Sequence, residues 1–198
     1  MRKLKLQMQM TIDGFVGGLN GELDWMEWSW SDDIKKYVDD LHVNVDTILL
    51  GRKMTDGFIT HWTSVVDKRD ESTQELKENY EFAKRMVDTP KVVFTKTMDS
   101  HNWINTTLAK GNIKEEVNNL KEESGKDIIV YGGADFVSSL IKNNLIDEYC
   151  LFINPTAIRK GLEIFNSIDD KINFKLVESR AFECGIVLNK YITNKKVS

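Results

Sequence analysis

Residues 128–136 read Ile128-Ile129-Val130-Tyr131-Gly132-Gly133-Ala134-Asp135-Phe136, and this stretch decides the fold. Its four leading residues are apolar or aromatic and mostly β-branched, which suits a short buried strand. Gly132-Gly133 ends that strand. Phe136, Val137, Leu140 and Ile141 then recur at helical spacing. Strand, glycine turn and helix in this order form the unit of an open parallel sheet, whose ligands sit beyond the carboxyl ends of the strands. The first amides of such a helix lack intrahelical partners and carry partial positive charge, so glycine there lets a phosphate approach the backbone.

Two further strand ends repeat the design. Val45 to Leu50 is a short apolar run followed by Gly51-Arg52-Lys53-Met54, where two cations suit a pyrophosphate or a 2′-phosphate. Lys91 to Thr95 ends on a hydroxyl followed by Lys96. Each turn alone reads equally as an ordinary connection; three in one sheet favour a nucleotide.

The other elements fall in between. Leu4 to Met10 alternates, with Lys5, Gln7 and Gln9 on one side, and predicts a strand with one polar face. The glycines of Thr11-Ile12-Asp13-Gly14-Phe15-Val16-Gly17-Gly18 mark a loop. Ile34, Val38 and Leu41 predict a helix from Ser31. Ser72-Thr73-Gln74-Glu75 resembles a capping box opening a helix to Val87. The segment between, with His61 and Trp62, reads as a long connection, and Asp67 to Glu71 as its exposed loop. Asn102 to Leu108 is a candidate strand, and Ile113, Val117 and Leu120 mark a helix ending near Gly125. Ile146 to Asn154 is a longer strand closed by Pro155. Phe174 to Glu178 and Gly185 to Tyr191 form a terminal hairpin. The fold class is therefore α/β: a central mixed, mostly parallel sheet with helices on both faces and a C-terminal antiparallel hairpin, in one domain spanning 1–198.

Composition bounds the function. The chain has 198 residues, 41% hydrophobic, with a formal net charge of −4. No basic surplus exists to neutralise a phosphate backbone, so nucleic acid is excluded as an expected partner. No uncharged apolar stretch reaches membrane-spanning length, so no membrane is expected. Cys150 and Cys184 have no CxxC or metal spacing and read as free thiols of a cytoplasmic protein. His42, His61 and His101 are scattered, and no metal is expected. Neither a G-x-G-x-x-G after the first strand nor a P-loop occurs, which disfavours a standard dehydrogenase or a kinase.

Four ordered segments now acquire a joint meaning: Met10-Thr11-Ile12-Asp13-Gly14-Phe15, Ile48-Leu49-Leu50-Gly51-Arg52-Lys53-Met54, Val92-Val93-Phe94-Thr95-Lys96 and Ile129-Val130-Tyr131-Gly132-Gly133-Ala134. Together they resemble the dihydrofolate-reductase-like family, closest to the reductase domain of riboflavin biosynthesis, from about Lys3 to Tyr191. The resemblance implies a three-layer sandwich and NADPH-dependent hydride transfer to a small heterocyclic or ribosylated substrate. It assigns Ile12, Gly14, Gly17, Gly51, Arg52, Lys53, Met54, Thr95, Lys96, Gly132, Gly133, Ala134 and Asp135 to the cofactor. Phe15, Trp25, Trp28 and Thr156 fall to the substrate, and Asp33 and Asp13 are candidate catalytic acids. It also implies a homodimer, with Gly185 to Tyr191 as the contacting edge. Dihydrofolate reductase proper and a catalytically silent dinucleotide sensor are the alternatives.

Three features leave alternatives open. Asp33 near the start of the first helix suits an acid, but equally a device that complements the helix dipole. The loop Thr156-Ala157-Ile158-Arg159-Lys160-Gly161 carries one glycine where the riboflavin-type reductases are glycine-rich, so Arg159 and Lys160 serve either a substrate phosphate or solvation. Trp25, Trp28 and Trp30 form either an aromatic slot or plugs under a long loop.

Overall fold

The computed structural model describes residues 1–69 and 72–193. In chain order the elements are β1 (Leu4–Thr11), α1 (Asp32–His42), β2 (Val45–Gly51), α2 (Arg52–Lys68), α3 (Gln74–Asp88), β3 (Lys91–Phe94) and β4 (Thr106–Ala109). They continue as α4 (Ile113–Glu122), β5 (Asp127–Val130), α5 (Ala134–Lys142), β6 (Glu148–Asn154), β7 (Phe174–Ala181) and β8 (Val187–Thr193). One sheet of order β4-β3-β2-β5-β1-β6-β8-β7 holds all the strands. From β4 to β6 every pairing is parallel. β8 then runs antiparallel to both β6 and β7. The expected mixed, mostly parallel sheet with a C-terminal hairpin is what the chain forms.

Two cores sandwich this sheet. On one face Val117 of α4 and Val137, Leu140 and Ile141 of α5 pack on Leu4, Leu6, Met8, Leu49 and Val130. On the other, Ile34, Val38 and Leu41 of α1 and Met86 of α3 pack on Ile48, Leu50, Ile129 and Phe152, with Phe58 and Trp62 of α2 beside them. The short apolar strands β2 and β5 are buried on both faces, as near-continuous hydrophobic runs of parallel sheets must be.

Several expectations are corrected. The polar face of β1 is there but is covered: the strand lies between β5 and β6, its Lys5 and Gln7 are buried and Gln9 is half-buried. Alternation here marks a polar stripe beneath α1, not an exposed face. The expected connection around His61 and Trp62 is the 17-residue helix α2, whose Met54, Phe58 and Trp62 repeat every four residues toward the core. Asp67 and Lys68 end that helix rather than a loop; residues 70 and 71 of the expected loop lie outside the described residues. The cap of α3 is Thr73, whose side chain accepts from the Leu76 amide, instead of Ser72. β4 starts only at Thr106 and β6 only at Glu148.

The hairpin expectation also needs revising. β8 is interior, hydrogen-bonded on one side to β6 and on the other to β7. It offers no free edge, so Gly185 to Tyr191 cannot be a dimer-forming edge. The edge at this end of the sheet is β7, which exposes about half of Leu176 and Val177 and carries a register shift between Leu176 and Glu178.

β2 and α5 touch closely where Gly51 ends the strand. A Cβ added at Gly51 would lie 2.7 Å from Cβ of Phe136 and 3.2 Å from its ring. Phe136 in turn packs on Phe94 with ring centroids 4.9 Å apart, so it has little room to yield. Gly51→Ala is expected to destabilise the fold by about 1–3 kcal/mol through overpacking, read as a lower urea midpoint with an unchanged slope. An unchanged midpoint would show that the β2–α5 contact is slack.

Candidate functional site

The six parallel strands end on one rim, at Thr11, Gly51, Phe94, Ala109, Val130 and Asn154. β1 and β2 send their following helices to the face of α1, whereas β5, between them, sends α5 to the opposite face. Connections leaving to opposite faces open a crevice at the strand ends, which is where ligands of open α/β sheets bind. Tyr131-Gly132-Gly133 sits at this point.

Two helices begin there. α2 starts after Gly51 and α5 after Gly133, both with extended N-cap backbones and without a side-chain cap. Glycine has no oxygen to offer the first-turn amides, so both helix starts present N–H groups and positive dipole ends to the crevice. Gly132 has φ +154°, and a Cβ there would lie 3.1 Å from Sδ of Met54. At Gly133 the nearest atom to an added Cβ is Cβ of Met54, 3.9 Å away, so the crevice side is open. Lys53 Nζ meets Asp135 at 2.8 Å and ties the two first turns together. Arg52 bonds Asp56 at 2.8 Å and lies 5.6 Å from the centroid of the Trp103 ring.

Thr95 accepts from the amides of Thr97 and Met98 and is buried as a turn former, while Lys96 is exposed. A cavity of about 190 Å³ lined by Phe58, Trp62, Met86 and Trp103 lies among the helices α2 and α3. It belongs to that helical layer, not to the rim.

The loops after β1 and β6 form the other wall. Ile12 N donates to Thr156 O at 2.9 Å, and Val16 and Leu162 are joined by the bonds Val16 N to Leu162 O and Leu162 N to Gly17 O, both 2.8 Å. Gly161 is where they cross: a Cβ there would lie 2.2 Å from Gly17 O and 3.1 Å from Cβ of Phe15. Its lone glycine thus serves backbone approach between loops. Gly14 has φ +90° with open space around it.

Asp13 clamps this crossing, accepting from the amides of Ile158 at 3.1 Å and Arg159 at 2.7 Å. A hydrogen bond with Thr11, followed by those amides, holds its carboxyl below the usual range. Asp33 behaves similarly. It accepts from Ser31 Oγ at 2.6 Å, Ile34 N at 2.9 Å and Glu183 N at 3.3 Å. Its pKa is lowered, chiefly by Ser31. The carboxylate fastens the start of α1 to the β7–β8 turn.

The three tryptophans divide. Trp25 is buried and Trp30 packs on the α1-side core, so both act as plugs. Trp28 is 63% exposed and does not. Two residues absent from the sequence-based site, Asn154 and His42, emerge here. Asn154, fully buried at the end of β6, accepts from Glu27 N at 2.9 Å and donates to Gln9 Oε1 at 2.7 Å. It pins residues 22–30 over the rim. His42 is buried with Nδ1 2.6 Å from Val38 O, so Nδ1 carries the proton and Nε2 accepts from the Tyr131 hydroxyl. Burial lowers its pKa and keeps it neutral. Only the polar letters at strand positions 7 and 9 hinted at any of this. Among the described residues no group of three or more His, Cys, Asp and Glu could hold a metal, and no helix is long and apolar enough to cross a membrane.

Known proteins share this architecture. The family model described as "RibD C-terminal domain" matches residues 2–188. The uncharacterized protein YyaP of Bacillus subtilis (strain 168) is 35% identical over 193 residues, 98% of this chain and 96% of its own. The solved diaminohydroxyphosphoribosylaminopyrimidine deaminase/5-amino-6-(5-phosphoribosylamino)uracil reductase of Thermotoga maritima superposes with a TM-score of 0.65 at 18% identity, over 97% of this chain and 56% of that one. Dihydrofolate reductase from Enterococcus faecalis, solved with NADP(H), superposes with a TM-score of 0.60 at 14% identity, over 98% and 97%. The fold is therefore dihydrofolate-reductase-like.

The Asp13 clamp titrates. Because its folded pKa is depressed, its contribution is complete above the unfolded carboxylate value and is lost as pH falls through the folded one. Amide exchange at Ile158 and Arg159, corrected for intrinsic rates, is expected to accelerate below about pH 4 in the wild type. In Asp13→Asn it is expected to be fast already at pH 7. Equal protection in both proteins at pH 7 would remove the clamp.

Proposed function

The chain belongs to the RibD C-terminal domain family, and from that premise we propose that it is an NADPH-dependent reductase. Its substrate is a small heterocyclic or ribosylated molecule, and the nearest known reaction is reduction of 5-amino-6-(5-phosphoribosylamino)uracil. The observation that carries the reading is the pair of glycine-capped helix starts, α2 and α5, flanking the crevice at β5.

NADPH, when bound, supplies the hydride. The residues fit it. The first-turn amides Gly133, Ala134 and Asp135 of α5 and Arg52, Lys53 and Met54 of α2 would hold the pyrophosphate, with the open space over Gly133 admitting it. Lys53 neutralises Asp135, so that carboxylate does not repel the phosphates. Arg52, held on the ring of Trp103, offers its guanidinium to the 2′-phosphate. Thr95 and Lys96 follow the end of β3 and would lie on the adenosine side.

The nicotinamide end would fall by the Ile12–Gly17 loop, where Ile12, Gly14 and Gly17 shape the backbone and Phe15, Thr156 and Trp28 would border the acceptor, while Trp25 stays a buried plug. This wall positions the reactants and excludes water, which is most of what hydride transfer asks of a protein. Both candidate acids are held ionised by several donors. They serve as positioning carboxylates, and water delivers the proton. The two unpaired cysteines suit a reducing cytoplasm. A homodimer would use the open β7 edge, since β8 is covered on both sides.

The test is direct. NADPH is expected to bind with enhanced nicotinamide fluorescence, and its absorbance to fall when the pyrimidine substrate is added. Turnover of dihydrofolate instead would make the protein a dihydrofolate reductase proper; binding without either turnover would make it a sensor. Failure to bind any dinucleotide would falsify the reading. Arg52→Ala is expected to weaken NADPH about tenfold, the worth of one charge-assisted hydrogen bond, and to leave NADH unchanged. Equal losses for both nucleotides would remove Arg52 from the 2′-phosphate.

A further inference from the structure

The cavity of about 190 Å³ in the helical layer has no part in the reductase reading. α2 and α3 form its sides, and residues 102–104, on the connection from β3 to β4, complete it. Phe58, Trp62, Met86 and Trp103 line it with rings and a thioether. Those rings are braced against collapse. Phe58 and Trp62 meet edge-on at 6.2 Å, Trp62 meets Phe82 at 5.3 Å, and Trp103 stacks on His101 at 5.2 Å. An apolar space of about 150 Å³ holds one benzene ring, so this one admits a single ring with a small substituent.

One ionic group stands in this wall: Lys91, the first residue of β3. Its Nζ donates to Val87 O at 2.8 Å and to Thr89 O at 2.7 Å, and so caps the end of α3. Capping explains two of its three donors. It does not explain the depth. Lysines ordinarily keep the ammonium in water at the tip of an apolar stem, whereas Lys91 is only 3% exposed. No carboxylate pairs with it among the described residues. Burial pushes its pKa down to about 8, and the charge of Asp88 opposes this only in part; that carboxylate is itself paired with Lys84. Thr63 and Asn102 add a hydroxyl and an amide to the same wall.

A buried cation with a donor to spare, set in an aromatic cavity, is best compensated by an acceptor that carries negative charge. The surrounding rings favour a flat partner that they can meet by face or edge.

We propose that this cavity is a binding site for a small aromatic carboxylate. Its single ring sits among Phe58, Trp62 and Trp103, and one carboxylate oxygen accepts the third N–H of Lys91. Thr63 and Asn102 are the donors nearest the second oxygen. An uncharged ring of the same shape binds less well, because it leaves the ammonium uncompensated. Nothing in this assignment involves a dinucleotide, so it stands or falls apart from the reductase reading.

The experiment is calorimetric titration of the whole protein with benzoate, with benzamide as the uncharged isostere and with acetate as the carboxylate without a ring. Benzoate is expected to bind saturably at millimolar concentration. Benzamide should bind about tenfold more weakly, the worth of one charge-assisted hydrogen bond, and acetate should not saturate. Lys91→Met keeps the apolar stem and removes the ammonium, so benzoate should fall to the level of benzamide while benzamide is unchanged. Thr63→Phe fills the space and should abolish both. A lysine that only caps α3 would give a different pattern: Lys91→Met would lower the melting temperature and leave the preference for benzoate intact, and that result overturns the proposal. Absence of saturable benzoate binding, or equal affinity for benzoate and benzamide, overturns it as well. Should Lys91→Met fail to fold, Thr63→Phe decides, since benzoate binding retained there would place the ligand outside the cavity.

Discussion

The structure depends on one handover: β5 sends its helix to the face opposite the one used by β1 and β2. The contact that makes it possible is the approach of Phe136 in α5 to the missing side chain of Gly51. Because no Cβ stands there, α5 can start against the end of β2. Its first turn then lies beside that of α2, close enough for Lys53 and Asp135 to pair. Two dipole ends at one point repel each other unless something negative lies between or near them. Asp135 supplies part of that charge within the protein, and an anion in the crevice would supply the rest.

Parts of this were legible in the letters. β2, β5 and α5 stand out because short β-branched runs end at glycine and helical spacing resumes at once. α2 was hidden for a physical reason. It follows Gly51 without a capping residue and carries Gly57 and several β-branched residues, so propensity argues against it, and only Met54, Phe58 and Trp62 betray its period. β1 misled in another way. Alternation is the mark of a half-exposed strand, but a central strand with a polar buried stripe has the same letters. Burial depends on which strands flank it, and that is a tertiary fact. The hairpin was visible, yet which of its strands is the edge follows from the pairing of β6 with β8.

The candidate site was half legible, and the division is chemical. The half proposed to hold an anion is built of backbone amides at glycines, a local feature that a nine-residue stretch can encode. The opposite wall is assembled over long range: Asn154 reaches Glu27, Asp13 reaches Arg159 and Asp33 reaches Glu183. Two carboxylates that look like acids in the sequence are spent on backbone amides. Each has its proton affinity reduced, first by a neighbouring hydroxyl (Thr11 for Asp13, Ser31 for Asp33) and then by those amides. A carboxylate that grips amides cannot also be an effective acid at neutral pH, since the bonds that orient it also favour its ionised form.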